Sequence, residues 1–207
     1  GIAGTSIIIL DRPNPLGGEM VSGNIPQESL EYPTSFIPIP YRHGMTIGEL
    51  ARLLNTENDH GVDLMIIPMD NWQGQPWSEI GLEWTPISPG ISTVDDLERF
   101  TITSILGADG ILDNGVSTDR PYEILVHPEI TSGSNIVFSL EELDLPGVNI
   151  LPAVSVPNAG PFAGQICNGV SITVTDVKVL EPWTIAIEIA EKIKTIYPNI
   201  KFTQSEN

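Results

Sequence analysis

Ser6-Ile7-Ile8-Ile9-Leu10 is an unbroken apolar run, and Asp11-Arg12-Pro13-Asn14-Pro15-Leu16-Gly17-Gly18 follows it directly. Four aliphatic side chains in succession suit a strand buried on both faces, as in parallel sheets. The prolines and glycines behind it force a turn. A strand of that kind wants neighbours on both sides, yet the sequence offers nothing before it, so the run is expected to belong with a missing upstream partner. An unaccompanied strand also exposes backbone groups that another chain can satisfy, and self-association through this leading strand is expected on that ground.

Beyond the turn, residues 19–41 are Pro-rich and weakly periodic, which predicts an extended surface loop. Thr46-Ile47-Gly48-Glu49 is a capping box, and Ile47, Leu50, Leu53 and Leu54 then repeat with helical period, giving a helix over 47–56. Val62 to Pro68 reads as a buried strand. Met69 to Pro89 reads as a loop carrying Trp72, Trp77 and Trp84. Ser92 or Thr93 caps a short helix through Arg99, after which Phe100 to Leu106 alternates like a strand and Asn135 to Phe138 resembles another. Ser139-Leu140-Glu141-Glu142 opens a brief helix or turn. Val148 to Val156 and Gln165 to Val177 read as half-buried strands, with Pro152 and Pro157 placing the first at a sheet edge. The last helix begins at Pro182 and runs to Tyr197. Three or four helices mixed with strands, without regular β-α-β alternation, predict an α+β fold with a mixed sheet. Residues 1–18 are then a strand and turn from an inter-domain junction, and 19–207 the α+β domain.

The 207 residues carry 27 acidic and 9 basic side chains, a formal charge of −18, which disfavours nucleic acid and acidic membrane surfaces. With 41% hydrophobic residues and 17% charged ones, and with 19 Gly and 18 Pro, the composition is that of a globular, loop-rich body rather than a disordered acidic tail. The apolar runs are far too short to span a bilayer, so a water-soluble chain is expected. Gly1-Ile2-Ala3-Gly4 has no basic n-region or apolar h-region, so a signal peptide is absent or already removed. The lone Cys167 excludes an intrachain disulfide framework and a multi-cysteine zinc site, and reads as a small core residue. Neither a cofactor nor a metal is expected. Scarce lysine and excess acid suit an exported setting, extracellular or periplasmic.

The Asp11 to Gly18 turn and Arg42-His43-Gly44-Met45-Thr46-Ile47-Gly48-Glu49-Leu50-Ala51 together resemble a bacterial family once known only as a domain of unknown function and now associated with exo-β-N-acetylmuramidases. The resemblance continues in family order through Pro68-Met69, Trp72, Trp77, Gly81-Leu82-Glu83-Trp84, Ser88-Pro89, Arg120-Pro121-Tyr122-Glu123, Cys167-Asn168-Gly169-Val170 and Tyr197-Pro198. It implies a glycoside hydrolase that removes N-acetylmuramic acid from the non-reducing ends of peptidoglycan fragments. It also implies a Rossmann-like N-terminal domain, with this chain as the second part, and a substrate partner that is an amino-sugar glycan or muropeptide. A Pro-Glu-His-Gly segment that such proteins carry upstream has no counterpart here, nor has their segment after the Tyr-Pro helix end. One loop departs from the family pattern. Two glutamates expected before Arg120 fall on Ala108 and Asn114, and an arginine falls on Val116.

Glycoside hydrolysis needs one carboxyl group to protonate the leaving oxygen and one to activate water or attack the sugar. Glu79, Asp109 and Glu123 are the candidate catalytic acids. Asp113 is read as a turn former or, with Asp109, as a calcium ligand, though the spacing is not that of an EF-hand. Candidate substrate-binding residues are Asp11, Arg12, Asn14, Arg42, His43, Trp72, Trp77 and Arg120. A guanidinium at Arg12 or Arg120 suits the lactyl carboxylate of muramic acid, although Arg120 can equally pair with Glu123. His43 stands just before a capped helix whose amides can hold an anion. The tryptophans offer stacking faces or core packing. Against the enzyme stands a second reading, a non-catalytic glycan-binding or self-assembling module, which the altered loop favours.

Overall fold

The computed structural model describes residues 4–26, 37–57, 61–107 and 110–202. Its contacts divide the chain into two compact units, Gly1–Glu83 and Trp84–Asn207. The division falls after Glu83 rather than after the Asp11 to Gly18 turn, because the leading strand pairs with a later strand of its own unit.

In the first unit, β1 (Ile7–Leu10) pairs in parallel with β2 (Leu64–Ile67), and α1 (Ile47–Glu57) connects them. The capping box at the start of α1 forms as read. Thr46 N–H donates to Glu49 Oε2 at 2.9 Å, and Glu49 N–H donates to Thr46 Oγ1 at 3.1 Å. The expected full burial of β1 is not observed. Ile8 and Leu10 are exposed on the face that α1 does not cover, and on the α1 side Ile9 is half-buried while Ile7, at the strand's start, is exposed as well. After β2 the loop includes a single helical turn, α2 (Trp77–Ile80), ended by Gly81 in the left-handed region at φ 67°.

The second unit is an antiparallel sheet dressed by helices. The sheet has β5 (Cys167–Val174) in its centre, with β3 (Ile124–His127) and β4 (Val148–Ser155) on either side, so β4 takes the edge position its prolines suggest. Register places Ile124 and Val126 on one face with Ala153 and Cys167, against Phe162. Leu125, Val170 and Ile172 share the other face, all fully buried. Helices α3 (Val94–Gly107) and α4 (Gly133–Leu140) pack on the sheet, and α5 (Pro182–Ile196) packs on both of them.

Two expected strands are helical. Phe100 to Leu106 continues α3, where Ile102 and Leu106 are buried and Thr103 Oγ1 bridges Arg99 O and Tyr122 O, each at 3.1 Å. Packing of α3 against α5 overrides the β-branched propensity of that stretch. Asn135 to Phe138 lies inside α4, whose Gly133 sits so close to the sheet that a Cβ there would come within 1.9 Å of Gly169 O. The sequence reading also passed over β3. The fold class is α+β, as expected; among the described residues there are five α-helices, more than the three or four expected, and two sheets in place of one mixed sheet. No helix among the described residues is long and apolar enough to cross a membrane.

Candidate functional site

The carboxyl ends of parallel strands are where open sheets form ligand crevices, and the first unit follows that rule. A cavity of about 380 Å³ lies where the chain leaves β1 and β2, in the lower part of the ~300–1,000 Å³ range of small-molecule sites. Asp11, Arg12 and Pro13 enter it from β1. Met69, Asp70, Asn71 and Trp72 enter from β2, and Gln75, Glu79, Ile80 and Leu82 come from the segment around α2. The loop after β2 turns on Asn71, held in the left-handed region at φ 62°. Trp72 Nε1–H then donates to Gln75 O at 3.0 Å, which fixes the indole along the wall.

Asp11 faces two ways. It lines the cavity, but its carboxylate accepts from Thr46 Oγ1–H at 2.8 Å, from Gly48 N–H at 2.9 Å and from Arg12 N–H at 3.0 Å. Those bonds satisfy the amino end of α1 from a strand distant in sequence, a tertiary cap that ties the end of β1 to the helix. Gly48 permits the approach, since a Cβ there would sit 2.8 Å from the Asp11 carboxyl carbon. Asp11 therefore positions its neighbour Arg12, which is exposed at the cavity.

Four candidates from the sequence meet in this cavity: Asp11, Arg12, Trp72 and Glu79. The other first-unit candidates shape its surroundings. Asn14 Oδ1 accepts from Leu16 N–H at 3.0 Å, and its Nδ2 donates to Met45 O at 3.1 Å, so it folds the proline turn. Arg42 is 3% exposed and donates to Leu16 O at 2.6 Å, pinning the same turn from inside. His43 Nδ1 accepts from Met45 N–H at 3.0 Å, and burial lowers its pKa, which keeps the ring neutral for that bond. Trp77 Nε1–H donates to Leu82 O at 3.1 Å, closing the α2 turn.

Arg120 and Glu123 belong to the second unit, where Arg120 Nε and Nη2 both donate to Glu123 Oε1, at 3.0 and 2.5 Å. Asp109 lies outside the described residues. Asp113 Oδ1 accepts from Gly115 N–H at 2.8 Å and its backbone bridges to Val126, so it forms a turn against β3. Among the described residues no three His, Cys, Asp or Glu side chains gather as a metal site. The sequence reading missed Asp70, Asn71 and Gln75 as cavity residues. The available signal was their position just past the end of β2.

The Arg12 cation, the carboxylates of Asp11, Asp70 and Glu79 and the Trp72 indole thus line one small cavity of the first unit. The family model described as "Exo-beta-N-acetylmuramidase NamZ, N-terminal" matches residues 2–95, and its C-terminal counterpart matches residues 82–206. The chain belongs to the exo-β-N-acetylmuramidase NamZ family. Peptidoglycan beta-N-acetylmuramidase NamZ of Bacillus subtilis (strain 168) is 32% identical over 196 residues, covering 94% of this chain and 47% of that protein. The chain thus spans about half the length of the curated relative it matches. A crystal structure of a DUF1343 family protein from Bacteroides fragilis superposes with a TM-score of 0.87 at 28% identity, over 94% of this chain and 51% of the other. A second such protein from the same organism shares the fold at TM-score 0.64 and 22% identity, over 97% of this chain and 52% of the other.

Proposed function

We propose that the cavity at the ends of β1 and β2 binds the terminal N-acetylmuramic acid of a peptidoglycan fragment, and that the chain contributes to its hydrolytic release. The observation that carries this reading is the convergence of Arg12, Trp72 and Glu79 on one cavity in a chain related to a protein named for that activity. In this reading the Arg12 guanidinium pairs with the lactyl carboxylate, the group that separates muramic acid from other amino sugars. Trp72 offers its ring to a sugar face. Glu79 donates a proton to the leaving glycosidic oxygen while a water adds to the anomeric carbon with help from a second carboxylate. Asp70 lines the same cavity and is our choice for that second group, because the Asp11 oxygens already serve α1. The partner is a glycan or muropeptide, not nucleic acid or a membrane, and the setting extracellular or periplasmic.

The experiment is release of the chromophore from a chromogenic β-N-acetylmuraminide by the chain and by Glu79→Gln. Turnover that Glu79→Gln lowers by about 100-fold or more supports the acid role. Turnover that Glu79→Gln leaves unchanged removes Glu79 from the chemistry. A specific observation favours the binding module as the second reading: Glu123 is held by Arg120, and the loop before it has Asn114 and Val116 at the two described positions that depart from the family pattern. Muramic acid affinity without turnover at any protein concentration would select it.

A further inference from the structure

Three loops of the first unit cross backbone on backbone, and each brings glycine to the crossing: Gly17 and Gly18 after β1, Gly44 before α1 and Gly74 after β2. Gly18 N–H donates to Gly74 O at 2.9 Å, and Trp77 N–H donates to Pro15 O at 2.9 Å. The turn that carries Arg12 is thereby fastened to the loop that carries Trp72. Gly17, Gly44 and Gly74 lie in the left-handed region, which accounts for glycine there whatever the space. Gly18 does not lie there. Only its surroundings stand against a side chain: a Cβ would come 3.0 Å from Gly44 O, 3.3 Å from Trp72 Cη2 and 3.4 Å from Gly74 Cα.

Of those three contacts, the one with Trp72 reaches the cavity. The indole is held at two points. Its Nε1–H is bonded to Gln75 O, and Cη2, at the outer end of the six-membered ring, borders the space that a side chain at position 18 would fill. Trp72 lines the cavity and Gly18 does not, so Gly18 meets the ring from outside. Close-packed surroundings absorb an added methyl only by moving something, and of the three neighbours the ring alone is a side chain. With its nitrogen tied, the ring answers by tilting. The attraction between a sugar face and an indole is short-ranged, a gap of about 0.5–1 Å forfeiting a quarter to a half of the dispersion energy. Given the muramic acid reading of the cavity, we infer that Gly18 is a positioning residue. It seats the Trp72 ring and so sets how closely a sugar lies on it.

The test introduces Gly18→Ala into the wild-type chain and into Trp72→Phe, followed by NMR of the ring protons and by titration with N-acetylmuramic acid. In the ligand-free protein Gly18→Ala should shift the Trp72 ring signals while those of Trp77 and Trp84 stay in place. Affinity for N-acetylmuramic acid should fall about three- to tenfold. A phenyl ring ends short of the Cη2 position, so in Trp72→Phe the same substitution should change affinity by less than about twofold. An equal loss in the two backgrounds, or Trp72 signals that do not move, would overturn the role of Gly18 and leave the muramic acid reading standing. A wild-type chain that binds no N-acetylmuramic acid, with Trp72 still moving in Gly18→Ala, would sink that reading and leave Gly18 as the seat of the ring. Should Gly18→Ala fail to fold, the double variant decides. Folding restored by Trp72→Phe supports the proposal, because it identifies the ring as the group that residue 18 must accommodate, and no restoration overturns it.

Discussion

Ile7 to Leu10 and Ile124 to Val126 are nearly the same kind of sequence, short aliphatic runs, yet the structure treats them oppositely. In the second unit Ile124, Leu125 and Val126 are fully buried, enclosed between β5, the helices and the Phe162 loop. In the first unit most of the comparable run is exposed. The difference lies in what packs against each strand, since an apolar run records a demand for burial and only the surrounding layers supply it.

The sharpest way to break that contrast is a pair of truncations. Ile189→Ala, in the fully buried face of α5, should cost about 2–5 kcal/mol in denaturant unfolding. Ile8→Ala in the same 207-residue chain should stay within about 0.5 kcal/mol. Comparable losses at the two positions would mean that β1 is as well packed as the second unit.

Helix caps provide the next comparison. Asp96 is a local cap of α3, accepting from Ser92 and Thr93 N–H while pairing with Arg99 at 2.6 Å, whereas Asp11 caps α1 from a distant strand end. Replacing either with Ala should cost about 1–2 kcal/mol. Asp11→Ala should in addition loosen the β1 end, seen as faster exchange at residues 9–12. The two variants behaving alike at both ends would remove the tertiary role of Asp11.

Smaller effects come from protonation. Burial lowers the His43 pKa, so the unfolded chain takes up a proton near pH 6.5 that the folded one resists. Its contribution is present above that pH and is lost as pH falls through the lower folded value, by at most about 1.4 kcal/mol per pH unit. His127 adds a limb of the same sign in the second unit, burial outweighing the opposing pull of Glu129. For Asp96, burial pulls the pKa upward but hydrogen bonds from Thr93, Ser92 and Arg99 outweigh it, so its stabilisation holds above 3.8 and fades as pH falls further. Unfolding titrations of His43→Gln should lack the first-unit part of the upper limb, and an unchanged profile would count against it.

Much of this was legible in the chain itself. The capping box at Thr46, the proline opening α5 and the edge prolines of β4 are local signals, complete within a few residues, and each appears where it was read. Phe100 to Leu106 and Asn135 to Phe138 misled because their β-branched and aromatic content describes propensity, while α3 and α4 are decided by packing. The cavity was half legible. Arg12, Trp72 and Glu79 stood out by residue type, but Asp70 and Gln75 enter only because two strand ends and a turn converge, a property of the tertiary fold. The second use of Asp11 was hidden for the same reason.

The central claim is that Arg12 and Trp72 frame a muramic acid site. Titrating the chain and Arg12→Ala with N-acetylmuramic acid and with N-acetylglucosamine, while following the Trp72 indole by NMR, tests it directly. The wild-type chain should prefer muramic acid by roughly tenfold or more, with the indole signal shifting, and Arg12→Ala should erase the preference. Equal affinity for the two sugars, or a preference that survives in Arg12→Ala, would contradict the account.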